Sequence, residues 1–243
     1  MAEGNGQSRF RYEEARDQIV AFISAERLTR GQRLPTERQL AETLGVSRPT
    51  LRQALELLEK DGLIERRQGS GTYVAEPRVA VDVRVLVSLT RSIVASGMRP
   101  GARVVTSEVI PATRQLAARF AVAPQTPLQH FQRVRYADDR IVAFERSWFP
   151  ASIAPNLNAF DLEHRSIYDV LEREYGVKLL RAEQEFDASV ADDKVAALLE
   201  CEPGAPLMVV HRLSIDFSGQ PVEYAVDRFL PLRSVFKSTA LVP

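Results

Sequence analysis

The sequence predicts an α+β protein in two parts: a short helical segment closed by a hairpin, then a larger antiparallel sheet with helices. Two observations predict it. Residues 10–74 place apolar residues at helical spacing between cap and stop residues, and end on two β-like runs around glycines. Residues 111–139 and 190–218 then align without a gap at an offset of 79, each reading helix, turn with proline, strand, turn.

Composition bounds the class. The 243 residues suit one to two domains, and 45% hydrophobic with 26% charged residues is ordinary for a soluble protein. No run of about 18 apolar residues offers a membrane span. The opening "MAEGNGQSRF" lacks the apolar stretch of a signal peptide and reads as a short lead-in. The single Cys201 excludes an internal disulfide and suits a reducing, cytoplasmic setting. Lys+Arg and Asp+Glu are 32 each, so net charge gives no hint of nucleic acid; only a local pattern matters to a groove.

In the first part, "FRYEEARDQIVAFISAE" carries Ile19, Val20, Phe22 and Ile23 at helical spacing. Thr36 precedes Glu37 and Gln39 as an N-cap, and a helix from Glu37 to Leu44 stops at Gly45. Ser47 caps the next helix, with Pro49 in its first turn and Leu51, Ala54, Leu55 and Leu58 as its apolar stripe. "LIERRQ", "GSG" and "TYV" make a hairpin. This order is a winged helix-turn-helix. Arg48 and Arg52 lie one turn apart off the stripe, and Arg48 and Thr50 occupy the first turn, where a recognition helix meets base edges. Arg66 and Arg67 precede the wing tip, within reach of phosphate or a minor groove. Residues 30–73 hold eight basic against six acidic residues, with Glu56, Glu59 and Asp61 gathered toward the far end of the helix.

The stretch from Gly31 to Val74, with LPTERQLA, VSRPTLRQAL and GSGTYV, resembles the DNA-binding domain of the GntR family of bacterial transcription regulators. The resemblance implies that Arg38 and Arg48 read guanines and that Ser47, Thr50 and Arg52 hold phosphates. It also implies that Gly69, Ser70 and Gly71 carry the wing tip into the minor groove.

After Val74 a linker-like run, residues 76–84, separates the DNA-binding domain (8–75) from a second domain (85–243). "SLTRSIVASGM" starts a helix near Ser88 to Thr90 and ends at Gly97. "ARVVTSEVI" and "LLRAEQEFDASV" are strand-rich and precede the two repeat copies. Two strand–helix–hairpin units side by side give an antiparallel sheet of about six strands with helices on one face. Between the copies, Ser166 is an N-cap and Asp169 completes a capping box. Helix N-termini with free N–H groups and hydroxyls favour anions.

This second domain resembles the UTRA effector domain of the HutC subgroup of GntR regulators, a fold shared with chorismate lyase. The resemblance rests on Ser88-Leu89-Thr90, Arg133-x-Arg135, Ile141 to Glu145, Arg165 to Tyr168, and Gly219 to Glu223. It implies binding of a small metabolite rather than its transformation. Thr90, Arg133, Arg135, Ser166 and Tyr168 then surround a phosphate, and Glu145 and Glu223 reach the rest of the ligand. One departure stands out: Phe229-Leu230-Pro231-Leu232-Arg233 replaces the tyrosine followed by glycine-aspartate-arginine of many members.

The three histidines show no metal-ligand spacing, and no nucleophile elbow or phosphate loop appears. The expectation is therefore no enzyme, no cofactor and no metal. It is instead a homodimeric repressor, released from an inverted-repeat operator by a phosphorylated sugar, phosphonate or carboxylate. Two alternatives are an effector-independent architectural DNA binder and a DNA-binding protein with an active lyase-like domain in which Glu145 and Glu223 form an acid–base pair.

In the hairpin "QRVRYADDRIVAFE", Arg133 and Arg135 share a strand face. Two loop residues would pair Arg135 with Val142 and leave Glu145 opposite in parity; three would pair Arg133 with Glu145. The second copy has Arg212 and Ser214 at the places of Arg133 and Arg135.

Overall fold

A computed structural model describes residues 4–67, 69–75 and 78–240. The chain divides into two compact units between Arg78 and Val79.

The first unit contains α1 (Gly4–Ala25), α2 (Glu37–Leu44), α3 (Arg48–Lys60), β1 (Ile64–Arg67) and β2 (Gly71–Val74). Helix α1 begins at Gly4, so part of the expected lead-in is helical. Thr36 and Gln39 form a reciprocal cap on α2: the Gln39 N–H donates to the Thr36 hydroxyl, and the Thr36 N–H to Gln39 Oε1 at 3.1 Å. Gly45 then turns the chain at φ 66°. Ile19, Leu40, Leu51, Ala54, Leu55, Leu58 and Ile64 bury together, which fixes α3 across α1 and α2. The β1–β2 hairpin runs from Ile64 opposite Val74 to Arg67 opposite Gly71. Gly71 sits at φ 124°, a backbone conformation that strains any side chain and so favours glycine.

The second unit runs β3 (Val79–Asp82), α4 (Leu89–Ala95), β4 (Pro100–Pro111), α5 (Arg114–Phe120), β5 (Pro127–Ala137), β6 (Arg140–Pro150), α6 (Ile167–Tyr175), β7 (Leu179–Val190), α7 (Asp193–Leu199), β8 (Pro206–Asp216), β9 (Pro221–Phe229) and β10 (Ser234–Lys237). Part of the expected linker is thus a strand. Its residues 76 and 77 lie outside the described residues, and Val79–Asp82 pair in parallel with β10 because Val79 joins the core formed by Ile93, Met98 and Phe229.

One antiparallel sheet, in the order β4-β5-β6-β9-β8-β7, organises the rest. The two strand–helix–hairpin units meet where β6 pairs with β9. The returning strands stand one residue out of step with the 79-residue offset, so Arg146 lies opposite its own counterpart Val226 and a pseudo-twofold axis passes through that pair. Helices cover both faces rather than one. Helices α5 and α7 pack on the face that carries Leu128, Val134, Phe144 and Val226. The other face carries Phe131, Ala137, Phe149 and Phe229, is equally apolar at its ends, and is covered by α6 and α4.

The first hairpin combines features of both expected turns. Asp138 and Asp139, at φ 48° and 64°, form a two-residue loop with both dihedrals positive. Tyr136 pairs with Ile141 but Arg135 with Ala143, leaving Val142 as a bulge. That extra residue restores parity, and Arg133 lies opposite Glu145. The second hairpin repeats the device: Ile215 pairs with Pro221, Ser214 with Glu223, and Val222 is the extra residue.

Replacing Thr36 with alanine removes the reciprocal cap of α2. The first unit should lose about 1 kcal/mol of stability, read from its denaturant midpoint. An unmoved midpoint would show that the cap does not hold the helix.

Candidate functional site

Two groups of residues matter, one in each unit. In the first, Ser47 caps α3 by accepting the Thr50 N–H at 3.3 Å, and the two hydroxyls lie 2.7 Å apart. Arg48 stands exposed in the first turn of α3. Arg52, one turn on, donates to Glu37 at 2.8 Å and so ties α3 to α2. Arg38 on α2 is exposed and faces Glu42 at 3.6 Å. Arg66 turns back onto α3, donating to the Arg52 carbonyl at 3.2 Å, so it serves the wing's attachment more than an open surface. Arg67 lies over the Tyr73 ring at 4.4 Å, while the Tyr73 and Ser70 hydroxyls bond at 2.6 Å. Gly69, at φ 72°, completes the wing tip with Ser70 and Gly71. The exposed side chains of α3 and the wing thus supply cations with only weak surface pairing, the kind that phosphates displace.

The second group lies on the sheet face beneath α4 and α6. Strand parity puts Arg133 and Arg135 of β5, Glu145 of β6, Glu223 and Asp227 of β9, and Arg212 and Ser214 of β8 on that face. Glu145 is clasped by both arginines: Arg133 Nη2 donates at 2.8 Å, and Arg135 Nη1 reaches both carboxylate oxygens at 3.0 Å. Arg135 also donates to the Thr90 hydroxyl at 2.9 Å and toward the Gly101 carbonyl, so all its nitrogens are engaged. Arg133 donates to the Leu162 carbonyl at 3.2 Å, but its Nε is buried without a partner.

The other half of the cluster mirrors the first. Arg212 donates to Glu223 at 3.2 Å and faces Asp227 at 3.0 Å. The Tyr168 and Ser214 hydroxyls donate to Glu223 at 2.6 and 2.8 Å. Burial is the largest influence on the Glu145 carboxyl and raises it, but Arg135 and Arg133 together outweigh it and hold the group below the usual range. Asp227 goes the other way. Only 1% exposed, it is pushed by burial up to about 7; the single ion pair with Arg212 does not offset that, and Glu145 and Glu223 add to it. Burial likewise raises the Tyr168 hydroxyl, which therefore stays a donor.

The expected capping box on α6 does not form. Ser166 stands at the N-cap with no side-chain bond, and Asp169 instead meets Arg91 of α4 at 3.3 Å. The Ser166 hydroxyl is buried and unpartnered, facing the small opening that Arg133, Arg135, Glu145 and Tyr168 also line. Ser88 caps α4 through the Arg91 N–H at 3.3 Å, and Ser88 and Leu89 close that opening from above. A larger groove of about 270 Å³ adjoins it, sharing Ser88 and Tyr168 and walled by Leu86, Val177 and Phe217. Phe229, at the departure from the tyrosine of many UTRA members, packs edge-on against Phe236 at 5.0 Å and lines a further small cavity with Arg212.

All nine expected effector residues therefore converge. Asp227 joins them unforeseen, with Ser214 and Arg212, which the sequence shows only as repeat counterparts; strand parity is the signal, since 223, 225 and 227 share a face. Among the described residues no group of three or more His, Cys, Asp or Glu is placed to hold a metal, and no helix is long and apolar enough to cross a membrane.

Comparison with known proteins agrees with both halves. Residues 11–74 match the model of the bacterial regulatory proteins of the gntR family, and residues 95–233 match the UTRA domain. The HTH-type transcriptional repressor NagR of Bacillus subtilis is 34% identical over 88% of this chain and 88% of its own. The mannosyl-D-glycerate transport/metabolism system repressor MngR of Escherichia coli is 32% identical over 90% of each. The crystal structure of PhnF from Mycobacterium smegmatis superposes with a TM-score of 0.86 at 28% identity, covering 94% of this chain and all of that one. NagR and MngR are both repressors by name.

Asp227 makes stability depend on pH with a definite sign. Its folded-state value of about 7 lies above the unfolded carboxyl value of about 3.9, so its contribution falls as pH rises between the two. Asp227→Asn should therefore gain melting temperature relative to the parent as pH goes from about 4 to about 7. Parallel Tm curves for the two proteins across that window would contradict the assignment.

Proposed function

Given that the chain belongs to the GntR family of bacterial regulators and carries a UTRA domain, we propose that it is a homodimeric repressor of the HutC subgroup, released from an inverted-repeat operator by a small anionic metabolite. In this reading residues 8–75 bind DNA in the cytoplasm, and residues 85–243 bind the effector and join the two copies. A twofold dimer offers two copies of α3 to two half-sites, as helix-turn-helix spacing on duplex DNA requires.

The observation that carries the effector reading is the buried arginine pair: Arg133 and Arg135 converge on one point, with Arg133 Nε and Ser166 Oγ left as unpartnered polar atoms around it. Guanidinium groups at that spacing suit the oxygens of a phosphate, phosphonate or carboxylate. The Glu223–Ser214–Tyr168 side suits a hydroxyl-bearing body. The name of one relative links it to mannosyl-D-glycerate, a glycoside with a carboxylate, which supports that pairing of features. Release needs the effector to prefer the arrangement that does not fit the operator; a 100-fold preference corresponds to about 2.7 kcal/mol.

Arg48→Ala should weaken binding to an operator selected from random DNA by about ten- to a hundredfold, with fold and oligomeric state intact. A footprint identical to the parent's would remove Arg48 from the reading surface. Ser166→Ala deletes a hydroxyl that bonds nothing in the ligand-free protein, so the melting temperature should hold. Affinity for an activating sugar phosphate, found by thermal-shift screening, should drop about tenfold. Equal affinities would return Ser166 to a helix-start role.

A further inference from the structure

The anion clamp is already occupied from within. Glu145 takes one donor from Arg133 and one from Arg135, and the opening they share is about 20 Å³, room for about one water. With so little room, an oxyanion that takes hydrogen bonds from both guanidinium groups needs the place that Glu145 fills. Glu145 is only 6% exposed under α4 and α6, too little for water to replace the two guanidinium groups. A buried carboxylate deprived of its cations needs another partner or a proton.

Asp227 is placed to provide both. It lies directly opposite Glu145 in the β6–β9 register, on the same face, where cross-strand Cβ atoms stand about 5 Å apart. One of its oxygens faces Arg212 Nη1 at 3.0 Å; the other, Oδ1, is buried with no partner. We propose that Asp227 is the positioning residue that receives Glu145: when an effector's oxyanion takes Arg133 and Arg135, the Glu145 carboxylate swings onto Asp227 Oδ1 and the two carboxyls share one proton. This rests on the reading of Arg133 and Arg135 as the effector's clamp.

The proton comes from Asp227 itself when that group is protonated, and from solvent when it is not. Two carboxyls in contact hold one proton more tightly than either alone. Below about pH 7, where Asp227 already carries the proton, binding moves none across the protein surface. Above it, each effector bound draws one proton in, so affinity falls as pH rises. The other charged groups on this face are Arg133 and Arg135 of β5, and Arg212 of β8 with Glu223 of β9, paired at 3.2 Å. From α6 the Tyr168 hydroxyl donates to Glu223, and from α4 the neutral Thr90 meets Arg135.

Sulfate is the probe of choice, since its two charges stay fixed across the range. Calorimetric titration of the full chain from about pH 6 to about pH 9 should give a level affinity up to about 7, then a fall approaching tenfold per pH unit. Paired buffers of different ionisation enthalpy should report uptake of close to one proton per sulfate at the alkaline end. Asp227→Asn, whose amide donates to Glu145 without titrating, should flatten the profile; Glu145→Gln, which needs no proton, should flatten it too and serves if the first variant fails to fold. Arg133→Ala should abolish binding. Sulfate binding that depends on Arg133 yet shows no proton uptake, or the same pH profile in wild type and either carboxyl variant, overturns the role of Asp227 while leaving the clamp. Binding that is absent, or that survives Arg133→Ala, overturns the clamp and this inference with it.

Discussion

The carboxylate of Glu145, held between two buried guanidinium groups, is the interaction on which the second domain's site depends. A carboxylate this deep is costly without cations beside it, and two arginines this deep are costly without an acceptor between them. Their meeting requires Arg133 and Glu145 to face the same way across adjacent strands. With the tight Asp138-Asp139 turn, that alignment exists only because Val142 is inserted as a bulge. One extra residue in one strand therefore decides whether three charges form a site or point to opposite sides of a sheet.

The internal repeat explains why the site has two poles of different character. Both copies carry the bulge, at Val142 and Val222, and both put an arginine on the inner face, Arg133 and Arg212. They diverge beyond that. The first copy has a second arginine at 135, where the second has Ser214; the carboxylate opposite Arg133 is Glu145, while Ala225 lies opposite Arg212. The second copy instead gathers Glu223 and Asp227 around one arginine. One half is thus rich in cations and the other in carboxylates, arranged about an axis through Arg146 and Val226.

Much of this is legible in the sequence because it depends on local rules. The caps at Thr36 and Ser47, the stop at Gly45 and the helix stripe through Leu51 to Leu58 are set by neighbours within a turn or two. The repeat by itself implies an antiparallel sheet of about six strands, because each copy supplies one strand and one hairpin. Four features escape for a common reason, dependence on distant residues. Ser166 and Asp169 have the spacing of a capping box, but Arg91, 78 positions away, takes Asp169. Val79 to Asp82 look like linker until β10 arrives from the far end of the chain. The second layer of helices follows from apolar residues on both sheet faces, which a mixed hydrophobic pattern does not resolve. Asp227 looks like one more charged residue near a strand end; only the pairing of β6 with β9 sets it against Glu145.

The depth of the charged cluster has a consequence for how the two ends of the chain respond to salt. Mobile ions screen charges that water reaches, over about 8 Å at physiological ionic strength, and leave enclosed pairs largely untouched. Arg133, Arg135, Glu145 and Asp227 are enclosed, whereas Arg38, Arg48, Arg52 and Arg67 stand in solvent. If α3 and the wing hold DNA as proposed, raising ionic strength weakens that hold through counterion competition while leaving the inner charges of the sheet as they are. On that reading, where salt content varies, grip on DNA is the adjustable quantity and the charge balance of the inner cluster is the constant one.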